Sequence, residues 1–426
     1  MECGNPRRLA LEVLGRVEHG QYAAIALDAA LGRTALMAED RALATALVYG
    51  VLEKQGRLDH ALAGLSNRPL AELSPDVRIL LRLGLYQLCF MERVPDHAAV
   101  NETVALASRK TAGFVNAVLR EEIRREKPLP LPSGKDRAEY LSVRYSASQS
   151  LVRRLLCDLG DEKTVAFLEA LEKQPPLTLR VNTLRTTRET LLDALGKAGY
   201  DAYPTAESRT GIILPGGAAI RELPGFDEGL FFVQDEASQL AVEALDAHCG
   251  MRVADVCACP GSKSFGIAIG MENCGEVLAC DLHRSKLSLV ERGAERLGIG
   301  ILSVLERDAR TQLPDWEGRA DRVLCDVPCS GFGVLGKKPE LRYKDPARSA
   351  ELPDIQAAIL RCSAGLLRPG GRLVYSTCTV LPAENERNVE RFLAESRDFR
   401  LVSQRTLYPD TDGTDGFFIA VMERNG

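Results

Sequence analysis

Hydrophobic residues recur at intervals of three and four positions through the first 127 residues, the spacing of one face of an α-helix. Val77, Leu80, Leu81, Leu85 and Leu88 form one such stripe. The predicted helices cover residues 5–17, 23–31, 41–63, 75–90 and 98–110. The pattern predicts an all-α domain over residues 1–127, and alternating prolines, which neither helices nor central strands accommodate, predict a linker over residues 128–139.

The pattern becomes mixed after this linker. A helical period over residues 145–173 is followed by a short alternating strand over 176–182 and a second helix over 187–198. Strand candidates follow at residues 202–204, 211–214 and 230–234. This order predicts a small α+β module over residues 140–230.

From residue 231 to the end of the chain, strand, loop and helix alternate. The predicted strands cover residues 252–257, 276–281, 301–305, 322–326, 371–377 and 417–422. This repeated order of strand, loop and helix indicates a parallel sheet covered by helices on both faces. The prediction for residues 231–426 is a doubly wound α/β domain, so the whole chain is expected to be multidomain.

Composition narrows the class of protein without fixing its function. A chain of 426 residues exceeds what one hydrophobic core usually serves, and its net charge of −5 gives no global basic field. Any contact with nucleic acid must therefore come from local patches. The first eight residues lack an apolar signal core and no run reaches the roughly 18 apolar residues of a membrane span, so we expect a cytoplasmic protein without membrane contact, monomeric by default. Most of the 12 cysteines lie in apolar runs and are expected to be reduced.

Small residues follow the first strand of the α/β domain, in the loop Cys257-Ala258-Cys259-Pro260-Gly261-Ser262-Lys263. The loop has neither the Gly-x-Gly-x-x-Gly nor the Walker A spacing, so it does not favour a pyrophosphate. Asp281 ends the next strand, where a carboxylate can accept both ribose hydroxyls, and Asp308 follows the third, where it can accept from an adenine amino group. Together these features predict S-adenosyl-L-methionine, although each aspartate alone would also suit a helix N-cap.

Two cysteines lie where later strands of the same domain end. Cys329 stands in Asp326-Val327-Pro328-Cys329-Ser330-Gly331, and Cys378 in Ser376-Thr377-Cys378-Thr379. A pyrimidine C5 becomes nucleophilic when a thiolate adds to C6, and a second thiol or base must then help to undo the adduct. The pair therefore predicts a methyltransferase that uses covalent catalysis. A zinc site at Cys257, Cys259, Cys280 and His283 is the alternative, but their spacing matches known zinc motifs poorly.

These motifs resemble a known family in their order along the chain. The region 231–426 is similar to the catalytic domain of the Nop/Sun family of RNA cytosine-C5 methyltransferases, at residues 233–239, 257–263, 326–331, 369–371, 375–378 and 415–418. The first domain is similar to the RNA-binding NusB fold, notably at residues 94–103 and 113–120. The combination resembles the bacterial branch that modifies the small ribosomal subunit.

The resemblance implies a role for each motif residue. Cys378 would be the nucleophile, and Cys329 would assist elimination of the adduct. Asp326 would hold the cytosine edge and border the cofactor, and Lys263 would lie between cofactor and base. The cofactor, S-adenosyl-L-methionine, would be held by the loop 257–263 with Asp281 and Asp308. Relative to the usual family loop, Cys259 replaces an alanine and Ser262 a glycine.

The resemblance also implies the partner. The expected substrate is 16S ribosomal RNA, free or in a partly assembled subunit, modified at the cytosine numbered 967 in standard rRNA numbering, with no metal. Separately from the resemblance, nine basic residues are candidates for a phosphate-facing groove, with an ordinary solvated surface charge as the alternative for each of them. They are Arg153, Arg154, Arg180, Arg185, Arg188, Lys337, Lys338, Arg342 and Lys344.

Three other functions stay open from the sequence. One is methylation of another rRNA or tRNA cytosine. Another is a DNA cytosine-C5 enzyme, which would use Cys329 as the nucleophile and needs a Glu-Asn-Val motif that the chain lacks. The last is a non-catalytic RNA-binding assembly factor, against which the presence of both cysteines and Asp326 argues.

Overall fold

A computed structural model describes residues 4–125 and 129–426. The chain forms two compact units. The first, here called the helical unit, comprises Met1–Glu172 and Lys337–Pro346, and the second, the sheet unit, comprises Lys173–Gly336 and Ala347–Gly426. Lys127 and Pro128, at the predicted junction of helical domain and linker, lie outside the described residues. The predicted domain boundaries stay predictions.

Nine α-helices make up the described part of the helical unit. They are α1 (Pro6–Glu18), α2 (Ala23–Arg33), α3 (Ala38–Leu65), α4 (Pro75–Phe90), α5 (Asp96–Leu106), α6 (Ala112–Arg125), α7 (Arg137–Arg144), α8 (Gln149–Leu159) and α9 (Asp161–Ala170). Four residues of the predicted apolar stripe of α4 are buried and Leu88 is half-buried. Val77, Leu81 and Leu85 pack with residues of α1, α3 and α6 in one core. The predicted helical character of this region is confirmed.

The predicted single helix over residues 145–173 is wrong in detail. Ser146 adopts a left-handed φ of 52°, and the Ser148 side chain then caps the start of α8 by accepting from the Leu151 N–H at 3.2 Å. Gly160, with a φ of 79°, separates α8 from α9. These local turns break the apolar period into α8 and α9, each starting at its own cap.

The helical unit includes the returning segment Lys337–Pro346. The buried Arg342 guanidinium donates to the carbonyl oxygens of Leu171 at 3.0 Å and Glu53 at 3.4 Å, and is 2% exposed. Tyr343 donates its hydroxyl to the Leu52 carbonyl at 3.1 Å. The prediction that Arg342 faces RNA phosphates is therefore wrong, because the guanidinium is buried in this unit and its N–H groups donate to main-chain carbonyls.

The sheet unit contains two sheets. The strands are β1 (Leu177–Val181), β2 (Tyr203–Pro204), β3 (Gly211–Leu214), β4 (Phe231–Val233), β5 (Arg252–Asp255), β6 (Glu276–Asp281), β7 (Leu302–Glu306), β8 (Ala320–Asp326), β9 (Leu367–Thr377), β10 (Phe399–Leu407) and β11 (Phe417–Arg424). The smaller sheet is antiparallel in the order β2-β3-β1-β4, and the larger runs β10-β11-β9-β8-β5-β6-β7. Strands β9, β8, β5, β6 and β7 are parallel. Strand β11 pairs antiparallel with β9, and β10 pairs antiparallel with β11.

Helices cover both faces of the larger sheet. The α-helices of this unit are α10 (Arg188–Lys197), α11 (Glu236–Leu245), α12 (Ser262–Gly270), α13 (Arg284–Leu297), α14 (Leu352–Ala364) and α15 (Glu386–Glu395). Short 3-10 helices occur in both units, at Leu70–Glu72, Ile220–Glu222, Pro314–Trp316, Pro339–Tyr343 and Pro346–Ser349. Along β8, Leu324 packs into one core, whereas Val323 and Cys325 pack into the other, which also holds Trp316. The predicted doubly wound fold is confirmed.

Two features of this unit differ from the sequence expectations. Strand β10 was not predicted, because it lies at the sheet edge with seven consecutive residues outside the core and so has no apolar alternation. Cys249 and Cys274 form a disulfide, so the expectation of fully reduced cysteines is wrong for this pair. The main-chain N–H of Gly250, next to Cys249, donates to the Cys274 carbonyl at 3.0 Å. Among the described residues, no helix is both long and apolar enough to span a membrane.

Candidate active site

The strand order of the larger sheet reverses between β5 and β8, and in such sheets ligands bind at the carboxyl ends of the strands beside that point. Strand β5 leads into the loop 257–263, β8 ends at Asp326, and β9 ends just before Cys378. Parallel pairing places Asp326 opposite Ser376, whose hydroxyl donates to Asp326 Oδ1 at 2.7 Å. The register of β8 and β9 thus brings the two cysteine loops together.

The two predicted cysteines are in direct contact. Their Sγ atoms are 2.8 Å apart, and the Cys378 N–H also points to Cys329 Sγ at 3.2 Å. The hydrogen bond with Cys378, together with burial, raises the pKa of the Cys329 thiol well above its usual value. Cys329 therefore holds its proton at neutral pH and can donate it to the Cys378 sulfur, which favours Cys378 as the thiolate of the pair.

A lysine beside this pair provides positive charge. Lys263 Nζ lies 2.8 Å from Asp326 Oδ2 and 5.4 Å from the centroid of the Phe417 ring, and its side chain is only 13% exposed. Burial lowers the pKa of Lys263, but the charge and hydrogen bond of Asp326 outweigh it, with a further contribution from Cys378, and the pKa is raised. Lys263 therefore stays an ammonium ion, whose field favours a thiolate at Cys378.

Sequence reasoning missed a buried carboxyl group in the same region. Asp255 ends β5, and its Oδ2 accepts from the Ser264 hydroxyl at 2.6 Å, whereas Oδ1 is buried without a partner in the described structure. Burial raises the pKa of Asp255 to about 7. An acidic residue inside the apolar run 252–257 was the signal that could have identified it. An unpaired buried polar atom beside the loop is consistent with a polar ligand there.

The loop 257–263 has the shape expected for a nucleoside site. Gly261 has a φ of 112°, and a Cβ atom there would lie 2.6 Å from the Phe265 ring, so this turn requires glycine. Asp281 is held at the loop by the main-chain N–H groups of Cys259 at 3.3 Å and His283 at 3.0 Å. Its carboxylate retains lone pairs for ribose hydroxyls. The loop and Asp281 therefore fit the predicted cofactor.

Asp308 has a different environment. Its Oδ2 pairs with the Arg310 guanidinium at 2.6 Å, and its Oδ1 accepts from the Arg310 N–H at 2.9 Å. These hydrogen bonds lower the pKa of Asp308 to about 2. An adenine amino group would have to share this carboxylate with Arg310. The cofactor role of Asp308 stays a prediction, with the ion pair as its alternative.

The predicted basic groove is only partly at the surface. Arg180 is 5% exposed and donates to Gln234 Oε1 at 3.1 Å, and burial lowers its pKa to about 10. Its place in a phosphate-facing groove is therefore wrong, because β1 directs it into the interior of the sheet unit. Arg153 is exposed and forms an ion pair with Asp136 at 3.0 Å. Within residues 4–125 and 129–426, no group of three or more His, Cys, Asp or Glu side chains is arranged to hold a metal ion.

Comparison with known proteins gives matches along most of the chain. The model of the family 16S rRNA methyltransferase RsmB/F matches residues 242–423, that of the NusB family residues 4–124, and that of the RsmF/B-like ferredoxin-like domain residues 148–221. The probable ribosomal RNA small subunit methyltransferase B of Bacillus subtilis is 36% identical, with 100% of both chains covered. The ribosomal RNA small subunit methyltransferase B of Pseudomonas syringae is 34% identical over 99% of both.

Two solved structures have folds similar to that of this chain. The crystal structure of PH0851 superposes with a TM-score of 0.85 at 28% identity, covering 99% of this chain and 98% of that one. A methyltransferase homolog protein from Pyrococcus horikoshii has a TM-score of 0.60 at 28% identity, covering 68% of this chain and all of its own. The shorter protein thus matches about two thirds of the fold.

Proposed function

The chain belongs to the ribosomal RNA small subunit methyltransferase B family, and on that premise we propose that it methylates C5 of a cytosine in 16S rRNA through a covalent cysteine adduct. The single observation that carries the covalent mechanism is the 2.8 Å contact between Cys329 and Cys378 beside the Lys263 ammonium. A methyltransferase acting on an already nucleophilic nitrogen or oxygen has no need of two thiols there.

Cys378 is the proposed nucleophile. Its sulfur receives a hydrogen bond from the protonated Cys329 and the field of Lys263, and both stabilise the thiolate. The thiolate forms a bond to C6 of the target cytosine, and the electron pair of the C5–C6 double bond becomes available at C5. This carbon can then attack a methyl group.

The pair of Lys263 and Asp326 is proposed to act at the base edge. As Cys378 adds to C6, negative charge builds up on the ring and N3 becomes more basic. The proton held between Lys263 Nζ and Asp326 Oδ2, 2.8 Å apart, is available to neutralise that charge at N3. Ser376 fixes the Asp326 carboxylate by its hydrogen bond to Oδ1.

Cys329 is proposed to act after methyl transfer. The C5 proton must leave, its bonding electrons must reform the C5–C6 double bond, and the C6–S bond must break to return Cys378 as a thiolate. The proton that N3 received returns to the pair of Lys263 and Asp326, so that the methylated cytosine leaves neutral. Cys329 lies against the bonded sulfur and can take part in this proton transfer as a base once its own proton has moved to solvent. Loss of Cys329 should therefore block release rather than attack.

The cofactor is S-adenosyl-L-methionine, which supplies an electrophilic methyl group when bound. We propose that the loop Cys257–Lys263 and Asp281 hold its nucleoside part. Asp308 is proposed to contact the adenine ring, in competition with Arg310. Ser262 begins α12 in this loop and adds a side chain where the family usually has glycine.

We propose the cytosine at position 967 in standard rRNA numbering as the target, with another rRNA or tRNA cytosine as the alternative. The test is to incubate the purified protein with tritiated S-adenosyl-L-methionine and unmodified 16S rRNA, in parallel with 23S rRNA, tRNA and duplex DNA, followed by nucleoside analysis. Label in 5-methylcytidine from 16S rRNA alone supports the proposal. Label in another nucleoside, or in DNA, contradicts it. Repeating the assay with partly assembled small subunits identifies the form of the substrate.

A further inference from the structure

A buried carboxylate that the mechanism above does not use holds the residue next to Cys329. Glu384, in the segment between Cys378 and α15, is 2% exposed. Its Oε2 accepts from the main-chain N–H of Ser330 at 2.9 Å and from the side-chain amide of Gln356 at 2.8 Å. The hydroxyl of Tyr375 donates to the Glu384 carbonyl at 2.6 Å. Glu384 therefore joins three separate parts of the sheet unit.

These bonds enclose Cys329 on both sides along the chain. Gln356, from α14, donates to the Pro328 carbonyl at 3.0 Å as well as to Glu384. Ser330, which follows Cys329, is held by Glu384 through its N–H and by Thr379 through its hydroxyl at 2.8 Å. The loop that carries Cys329 is thus fixed at the residue before it and at the residue after it.

The carboxylate also carries charge. The titratable groups facing Cys329 are Cys378 from the end of β9, the Tyr375 hydroxyl from within β9, and Glu384; the pair of Lys263 and Asp326 lies beside Cys378. The Cys378 hydrogen bond and burial are the largest causes of the raised pKa of Cys329, and the Glu384 charge adds to them.

We propose that Glu384 is a positioning residue for release of the methylated base, which holds the Cys329 loop against Cys378 and keeps a fixed negative charge near the Cys329 sulfur. The proposal rests on the covalent mechanism proposed above. When Cys378 is bonded to C6, its sulfur no longer accepts the Cys329 proton, and Glu384 remains the carboxylate facing Cys329. A thiolate formed at Cys329 is then a stronger base toward the C5 proton.

The geometry allows charge and position to be separated by substitution. Both hydrogen bonds to the Glu384 side chain end on the same oxygen, Oε2. In Glu384→Gln, the amide oxygen can take the position of Oε2, so both hydrogen bonds are kept and the charge is removed. Glu384→Ala removes both hydrogen bonds and the charge. Glu390→Gln removes one carboxylate from an exposed position of α15 and is the matched control.

The first measurement is the alkylation of Cys329 by iodoacetamide as a function of pH, followed by peptide mass spectrometry. It is made in a Cys378→Ala background, so that the other thiol does not compete. Adding Glu384→Gln should lower the midpoint of Cys329 alkylation, and Glu390→Gln should leave it unchanged. An unchanged or higher midpoint with Glu384→Gln would overturn the charge role.

The second measurement is single-turnover methylation of 16S rRNA with both thiols present. Glu384→Ala should slow release, seen as accumulation of the RNA–protein adduct on a denaturing gel, and Glu384→Gln should largely restore release with an altered pH dependence. Equal release by wild type and Glu384→Ala would overturn the positioning role. The alkylation assay uses no RNA, so it decides the charge role of Glu384 even if 16S rRNA is not methylated, an outcome that would refute only the proposed function. If Glu384→Ala does not fold, Glu384→Gln still decides the charge role, because it keeps both hydrogen bonds and removes only the charge.

Discussion

Replacing Asp255 by asparagine should change how the stability of the sheet unit depends on pH. Asp255 is fully buried at the end of β5, where its Oδ2 accepts from the Ser264 hydroxyl and its Oδ1 has no hydrogen-bond partner within the described part of the chain. Burial is the largest cause that raises its pKa from 3.8 to about 7. Asparagine has nearly the same shape and can still accept the Ser264 hydrogen bond through its Oδ1, but it cannot ionise.

The sign and size of the effect follow from linkage. Because the folded-state pKa of Asp255 lies above the unfolded value, the folded protein binds this proton more tightly, and the free energy of unfolding falls as pH rises from about 4 to about 7. One pKa unit corresponds to about 1.4 kcal/mol. Between pH 5.5 and pH 8, wild type should therefore lose roughly 2 kcal/mol of stability that Asp255→Asn does not lose.

The chain offers a convenient probe for this measurement. Trp316 is the only tryptophan and is buried in the core of the sheet unit, so its fluorescence during urea unfolding reports on that unit. Unfolding is measured for wild type and Asp255→Asn at pH 5.5, 6.5, 7.5 and 8. The quantity of interest is the difference between the two proteins at each pH, because titrating groups that do not interact with Asp255 cancel in it.

Asp201→Asn, at an exposed position of the same unit, is the matched control and should give a difference independent of pH. The reasoning is refuted if the difference between wild type and Asp255→Asn is constant over this range. It is refuted equally if wild type becomes more stable than the variant as pH rises, since that is the sign for a carboxyl whose pKa is lowered by folding.

Three further predictions concern the proposed chemistry. Cys378→Ala should reduce methyl transfer by more than roughly 10³-fold while calorimetry shows unchanged binding of S-adenosyl-L-methionine; normal turnover would remove Cys378 as the nucleophile. Cys329→Ala should instead accumulate a covalent RNA adduct, seen as a slow band on a denaturing gel, and exchanged phenotypes of the two variants would point to the mechanism of DNA enzymes. Asp308→Ala should weaken cofactor binding by roughly tenfold or more, and Arg310→Ala should not weaken it. If neither variant changes the affinity, Asp308 serves only the ion pair.

The sequence by itself determined the local secondary structure and the residue types available for catalysis and cofactor binding. The three- and four-residue spacing predicted α4 with its bounds, because the residues on the buried face of a helix are three or four positions apart in the sequence. Apolar runs predicted β6 and β8, because strands buried on both faces carry few polar residues. The residue types in the loop 257–263 and at the ends of β8 and β9 indicated a nucleoside cofactor and covalent catalysis.

Tertiary structure alone decided which side chains meet. The 2.8 Å contact of Cys329 with Cys378 joins residues 49 positions apart, and it depends on the register of β8 against β9. Packing likewise buried Arg180, which the sequence suggested for RNA contact, and placed Glu384 against the residue next to Cys329. The periodicity of a segment shows which of its residues face the core. The contacts described here depend on how segments distant in sequence are paired, and no local pattern carries that information.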